Sequence, residues 1–174
     1  MDLLEIMQNR RSVRKYTGKP VSEENLKMIL QAGLLSPAGR NIGHREFVVI
    51  KDKDMLQKLS VCRTHGSGPL AGADCAIAVF GKKTATYIPV EECAIAMTQM
   101  HLMADALGVG SCWIQGRLRE APDGRMTDEY VRELLGVPEE FMLEAILSLG
   151  MPDEHPSPHR LEELAYEKIH RENW

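Results

Sequence analysis

The apolar positions of this chain change their spacing several times, and each change marks a predicted element. Residues 3–7 (Leu-Leu-Glu-Ile-Met) put apolar side chains at i, i+3 and i+4, the spacing of a short amphipathic helix. A second helical face follows in Leu26, Ile29, Leu30, Gly33 and Leu34. Ser22 is its predicted N-cap, Glu23 and Glu24 occupy the first turn where the helix dipole favours anions, and Pro37 stops it. Residues 46–50 (Glu-Phe-Val-Val-Ile) read as a strand, and Asp52 or Asp54 starts a short helix through Met55, Leu56 and Leu59. The glycine-rich stretch 63–72 reads as a loop. Residues 75–80 (Cys-Ala-Ile-Ala-Val-Phe) are continuously apolar, as in a strand covered on both faces.

The longest helical pattern spans 90–107, with Gly108 placed just past its end. Its apolar residues cover more than one face, so it is predicted to be central, or central and part of a subunit interface. Residues 110–115 form a third strand. Thr127 is a predicted cap for a helix through Val131, Leu134 and Leu135 that ends at Gly136 and Pro138. A fourth strand spans 142–150, a proline-rich loop 151–160, and a terminal helix 161–170. Helices and strands in this order suit an α+β sandwich.

Composition narrows the function. A length of 174 residues with 44% hydrophobic content suits one domain, 1–174. A net charge of -4 and a pI near 5.9 argue against a nucleic-acid partner. The N-terminus is too short in apolar run for a signal peptide, and nothing approaches the roughly 18 apolar residues that span a bilayer, so the expectation is a cytoplasmic protein with no membrane partner. Cys62, Cys75, Cys93 and Cys112 form no C-x-x-C pair, which points to reduced, mostly buried thiols without a disulfide framework or zinc site.

Several catalytic motifs are absent. Residues 76–84 end like a Walker A loop, but Ala76 stands at its first glycine and Lys83 at its Ser/Thr. No G-x-G-x-x-G follows a strand, and no G-x-S-x-G elbow occurs. Pro156 and Pro158 forbid the helix that would align His155 and His159 on a metal, so no metal site is expected. His101, inside the long helix, reads as a hydrogen-bonded core histidine.

What remains is a basic stretch in an acidic chain. Arg10, Arg11, Arg14 and Lys15 crowd residues 10–15. In an extended segment Arg10, Ser12 and Arg14 point the same way, so two guanidinium forks and a hydroxyl converge as a phosphate monoester requires; a solvated charge run is the alternative. Together with residues 16–41, with Gly-Ala-Asp-Cys-Ala-Ile-Ala-Val-Phe-Gly (72–81), with the block 92–116 and with 147–160, this stretch resembles the flavin-dependent nitroreductases in order along nearly the whole chain.

The resemblance implies a three-layer α+β sandwich, its mixed or antiparallel central sheet flanked by helices, in a homodimer holding FMN at the subunit interface. Arg10, Ser12 and Arg14 would hold the phosphate and part of the ring edge, Arg11 would contribute its backbone, and Arg160 would add a second cation. Pro37, Ala38 and Gly39 would reach the flavin from the partner subunit, with Asn41 hydrogen-bonding it. Ile114, Gln115 and Gly116 would lie beside the ring. The flavin would carry the chemistry without a catalytic side chain, taking hydride from NADH or NADPH and passing it by a ping-pong scheme to a nitroaromatic, quinone or enone. A non-catalytic flavin-binding sensor or storage module on the same fold is the alternative.

Where the family often continues N-x-Q-P-W-x-F, this chain has Asn41-Ile42-Gly43-His44-Arg45-Glu46-Phe47. His44 and Arg45 are thus expected at the pocket rim, with Arg45 available to an anionic substrate or a nicotinamide phosphate. The helical excursion near 81–90 is reduced to ten residues, which implies a more open site.

Overall fold

A computed structural model describes residues 2–41, 43–84 and 88–174. Among the described residues, four strands form one antiparallel sheet in the order β1 (Arg45–Ile50), β2 (Cys75–Lys82), β4 (Phe141–Gly150), β3 (Gly110–Gln115). β2 is central and alternates as a doubly covered strand must. Its Cys75, Ile77 and Val79 join the core cluster on one face, and Ala76, Ala78 and Phe80 the cluster on the other. The first cluster is closed by α2 (Glu23–Leu34) and α5 (Pro89–Ala106) through Leu26, Ile29, Met97 and Met100. The second is closed by α3 (Lys53–Leu59), α4 (Pro69–Gly72) and α6 (Thr127–Leu135) through Leu56, Leu59, Leu70 and Val131. The result is the three-layer sandwich.

Local signals placed most of these elements. Ser22 caps α2 by accepting the Asn25 N–H at 3.1 Å, and Asp52 caps α3 by accepting that of Met55 at 2.8 Å. Gly108 has φ +70 just beyond α5, and Gly136 has φ +67 at the end of α6. α1 (Leu3–Asn9) starts at a reciprocal capping box between Asp2 and Glu5. Gly33 lets α2 approach α5 closely, since a Cβ there would stand 2.9 Å from the Met100 sulfur.

The structure differs from the sequence reading in four places. Residues 161–170 form no helix but two 3₁₀ turns, Leu161–Glu163 and Tyr166–Lys168. Leu164, Tyr166 and Ile169 are exposed there, so no apolar face is packed to stabilise an α-helix. Thr127 does not cap α6; Met126 occupies that position, while Thr127 is fully buried and donates its hydroxyl to the Cys62 carbonyl at 2.9 Å. The glycine-rich stretch contains α4, a single turn begun by Pro69 at its first position. Leu34 is exposed, and Ala32 takes its place on the buried face of α2.

Candidate functional site

β3 is an edge strand, and an uncovered edge presents unpaired N–H and C=O groups. The basic stretch covers it. Ser12 bridges Ser111 in parallel sense, the Val13 N–H donates to the Ser111 carbonyl at 2.9 Å, and Tyr16 pairs with Pro152. Val13 and Gly110 meet so closely that a Cβ on Gly110 would stand 2.8 Å from a Val13 methyl carbon. The arginines are therefore displayed from a fixed backbone.

Each side chain then takes its own direction. Arg10 is half-buried and donates from Nη1 to His101 Nε2 on α5 at 2.9 Å. Arg11 donates to the Ser157 carbonyl, and Arg14, exposed, donates to the Ser12 carbonyl at 3.3 Å. The Ser12 hydroxyl lies against the Cys112 thiol. Among the described residues none of Arg10, Arg11 and Arg14 is ion-paired with a carboxylate, whereas Lys15 is paired with Glu154 at 3.2 Å. Three uncompensated guanidinium groups on one short segment repel each other and favour an anion.

The far end of the chain reaches the same place. Gln8 and His159 exchange two hydrogen bonds, at 2.9 and 3.2 Å, so residues 157–160 lie beside the basic stretch. Arg160 is brought near in this way, but its guanidinium pairs with Glu162 at 2.5 Å and Glu163 at 3.7 Å.

At the other end of β3 the strand leaves the sheet at a bulge. Val79 pairs with Ala145 and Phe80 with Leu143, which leaves Glu144 unmatched. The Glu144 carbonyl accepts the N–H groups of both Gly116 and Arg117 at 3.0 Å, so the Gly116 N–H is already engaged. Ile114 is buried and Gln115 half-buried. The Gln115 amide is oriented on both sides: its Oε1 accepts the Trp113 indole N–H at 2.8 Å and its Nε2 donates to Glu144 Oε1 at 3.2 Å. Gly116 has no room for a side chain, since a Cβ would fall 2.3 Å from a Leu143 methyl.

Pro37, Ala38 and Gly39 sit elsewhere, over the first turn of α5. The Gly39 N–H donates to Glu92 Oε1 at 2.9 Å. Arg45 clamps the same turn, donating to the carbonyls of Pro37 at 2.8 Å and Ser36 at 3.0 Å. That commits both terminal nitrogens of Arg45 to the backbone, a role the sequence reading did not assign. Asn41 ends the 3₁₀ turn Gly39–Asn41; its side chain, like Ile42 and residues 85–87 of the shortened excursion, lies outside the described residues. Glu92 and His101 are nine residues apart on α5, about 14 Å along a helix axis. The chain thus holds two of its groups of candidate residues at separate points of the helix.

Sequence reasoning missed the buried polar groups that organise these segments. Glu92 and Glu144 are 1% and 5% exposed, and each keeps one carboxylate oxygen without a partner among the described residues. Asp105, one turn after His101, accepts from Asn9 Nδ2 at 2.9 Å and faces His155 Nε2 at 3.4 Å. Arg63, after α3, has a buried Nε with no partner among the described residues. Of the polar residues on α5 (Glu91, Glu92, Thr98, Gln99, His101 and Asp105), only Glu92, His101 and Asp105 are buried, a selection that sequence alone does not mark. Among the described residues, no three His, Cys, Asp or Glu side chains converge as a metal site would need, and no helix is long and apolar enough to cross a membrane.

Comparison with known proteins agrees with this architecture. A sequence model described as the nitroreductase family matches residues 7–63 and 63–151. A protein of Archaeoglobus fulgidus provisionally named NADH dehydrogenase/NAD(P)H nitroreductase is 33% identical, covering 99% of each chain. Among solved structures, an FMN-dependent nitroreductase of Clostridium difficile R20291 superposes with a TM-score of 0.95 at 38% identity, covering 98% of this chain and 99% of that one. A protein of Desulfovibrio desulfuricans, provisionally named a nitroreductase and solved in complex with FMN, gives a TM-score of 0.79 at 26% identity, over 100% and 98% of the two chains.

Proposed function

The chain belongs to the nitroreductase family, and from that premise we propose that it is an FMN-dependent oxidoreductase that uses NADH or NADPH to reduce a nitroaromatic, quinone or enone acceptor. The observation that carries the reading is the uncompensated charge of Arg10, Arg11 and Arg14, fixed to the β3 edge. The chemistry of these residues suits an FMN phosphate: Arg10, one nitrogen of which is held by His101, and Arg14 would supply charge-assisted donors, Ser12 a hydroxyl on turning from the Cys112 thiol, and Arg11 its backbone. Arg160 reaches the phosphate by exchanging Glu162 and Glu163 for it. When bound, FMN would supply the redox chemistry, accepting hydride from NAD(P)H and yielding it to the acceptor in a ping-pong scheme.

The other candidate residues take supporting roles in this reading. Ile114 and Gln115, with Gly116 at the bulge, border the ring; the doubly anchored Gln115 amide gives that border a fixed polarity. Pro37, Ala38, Gly39 and Asn41 serve the ring bound by a second copy of the chain, which accounts for their distance along α5 from Arg10. The domain would then be the whole of 1–174, acting as a cytoplasmic homodimer. Supporting the dimer, Leu3, Leu4, Met7, Leu34, Leu35 and Ile95 are exposed, Leu35 at 81%. Scattered apolar exposure is ordinary, but these residues lie on α5 or on α1 and the end of α2, the two helices that pack against α5.

The test is an absorption titration of the purified protein with FMN, followed by anaerobic NADH or NADPH. Flavin bands that bind and then bleach establish a reductase. Bands that bind and stay oxidised give the sensor or storage module instead, and no binding overturns both.

A further inference from the structure

We propose that His101 is a positioning residue for the cofactor phosphate, holding the Arg10 guanidinium in place with a neutral imidazole while leaving its charge free for the anion. This rests on the reading of residues 10–14 as the FMN phosphate site. The ring's protonation state follows from its partners. A guanidinium only donates, so His101 Nε2, 2.9 Å from Arg10 Nη1, must offer a lone pair. A neutral ring with Nε2 unprotonated carries its proton on Nδ1, which therefore donates to Ser111 Oγ at 2.5 Å. Ser111 does double duty, because its carbonyl also accepts the Val13 N–H at 2.9 Å. The backbone of the basic segment and the side chain of Arg10 are thus referred to one residue of β3.

The surroundings preserve neutrality. His101 is 6% exposed, and burial together with Arg10 pushes its pKa down to about 4. Asp105, the nearest acid along α5, is occupied by Asn9 and His155. The choice of imidazole has a physical reason. A carboxylate at the same place would pair with Arg10 and cancel the field that a phosphate needs, whereas an imidazole orients the fork without cancelling it.

The test compares FMN and riboflavin binding to apo-protein, read by flavin fluorescence quenching, in wild type and in His101→Leu, His101→Gln, His101→Glu and Arg10→Gln. Riboflavin lacks the phosphate and is the internal control. His101→Leu is expected to weaken FMN binding about tenfold, the scale of one lost charge-assisted hydrogen bond, with riboflavin unchanged. His101→Gln, whose carbonyl can accept from Arg10, is expected to stay within about threefold of wild type, and His101→Glu to weaken FMN despite making the contact.

If Arg10→Gln leaves FMN affinity intact, the phosphate-site reading itself fails. If Arg10→Gln weakens FMN but His101→Leu does not, or if Leu and Gln behave alike, the positioning role fails while the site stands. Should His101→Leu not fold, nitrogen NMR of the wild-type ring decides: an unprotonated Nε2 at neutral pH supports the role, and a protonated one overturns it.

Discussion

At the scale of single residues, buried ionisable groups give the most direct predictions. The His101 pKa of about 4 lies below the ordinary 6.5, so the unfolded chain takes up its proton at higher pH than the folded one. Between those values the unfolded state binds more protons, and stability therefore falls as pH drops from about 6.5 to about 4, by up to about 3 kcal/mol. Urea unfolding at a series of pH values should show this loss, and the His101→Gln protein should lack it.

The thiols behave in the opposite sense. All four cysteines are free and buried, and burial pushes Cys62 up to about 11 and Cys75 and Cys93 up to about 12. The native protein at pH 8 should react with a thiol reagent only after denaturant is added. Gly116→Ala should cost about 1–3 kcal/mol through its clash with Leu143, read as a lowered urea midpoint, and Leu143→Val should recover part of it.

At the scale of elements, helix starts were the most legible feature. Ser22→Ala should destabilise the protein by about 1 kcal/mol, measurable as a lower urea midpoint, because the Asn25 N–H loses its acceptor. Thr127 misled because a Ser/Thr before an apolar face fits two uses, and the buried Cys62 carbonyl claimed its hydroxyl instead. The terminal helix failed for another reason. Spacing at Leu161, Leu164 and Ile169 suits a helix, but a helix this short is held mainly by what its apolar face packs against, and here Leu161 is only half-buried while Leu164 and Ile169 are exposed.

At the scale of the whole molecule, the proposed homodimer would couple assembly to cofactor binding, because two groups of candidate residues sit at separate points of α5. Light scattering should report two chains per particle. Ile95→Glu combined with Leu35→Glu, both at exposed positions, should leave the protomer folded by circular dichroism yet shift it toward one chain and weaken FMN binding by tenfold or more. A variant that becomes monomeric and keeps full FMN affinity would mean that each protomer completes its own site.

The sequence by itself determined the rhythm of the elements, the cap at Ser22, the glycine stops, the doubly buried β2 and the concentration of positive charge at 10–15, because each depends on residues near one another along the chain. Only the tertiary structure decided where those charges point. Arg10, Ser12 and Arg14 were expected to converge by strand alternation, but His101, Cys112 and the Ser12 carbonyl each drew one group its own way. Likewise Arg45 became a backbone clamp, and Glu92 and Glu144 became buried anchors. A polar side chain takes the partner that folding brings within reach, and for Arg10, Ser12, Glu92 and Glu144 that partner lies tens of residues away along the chain.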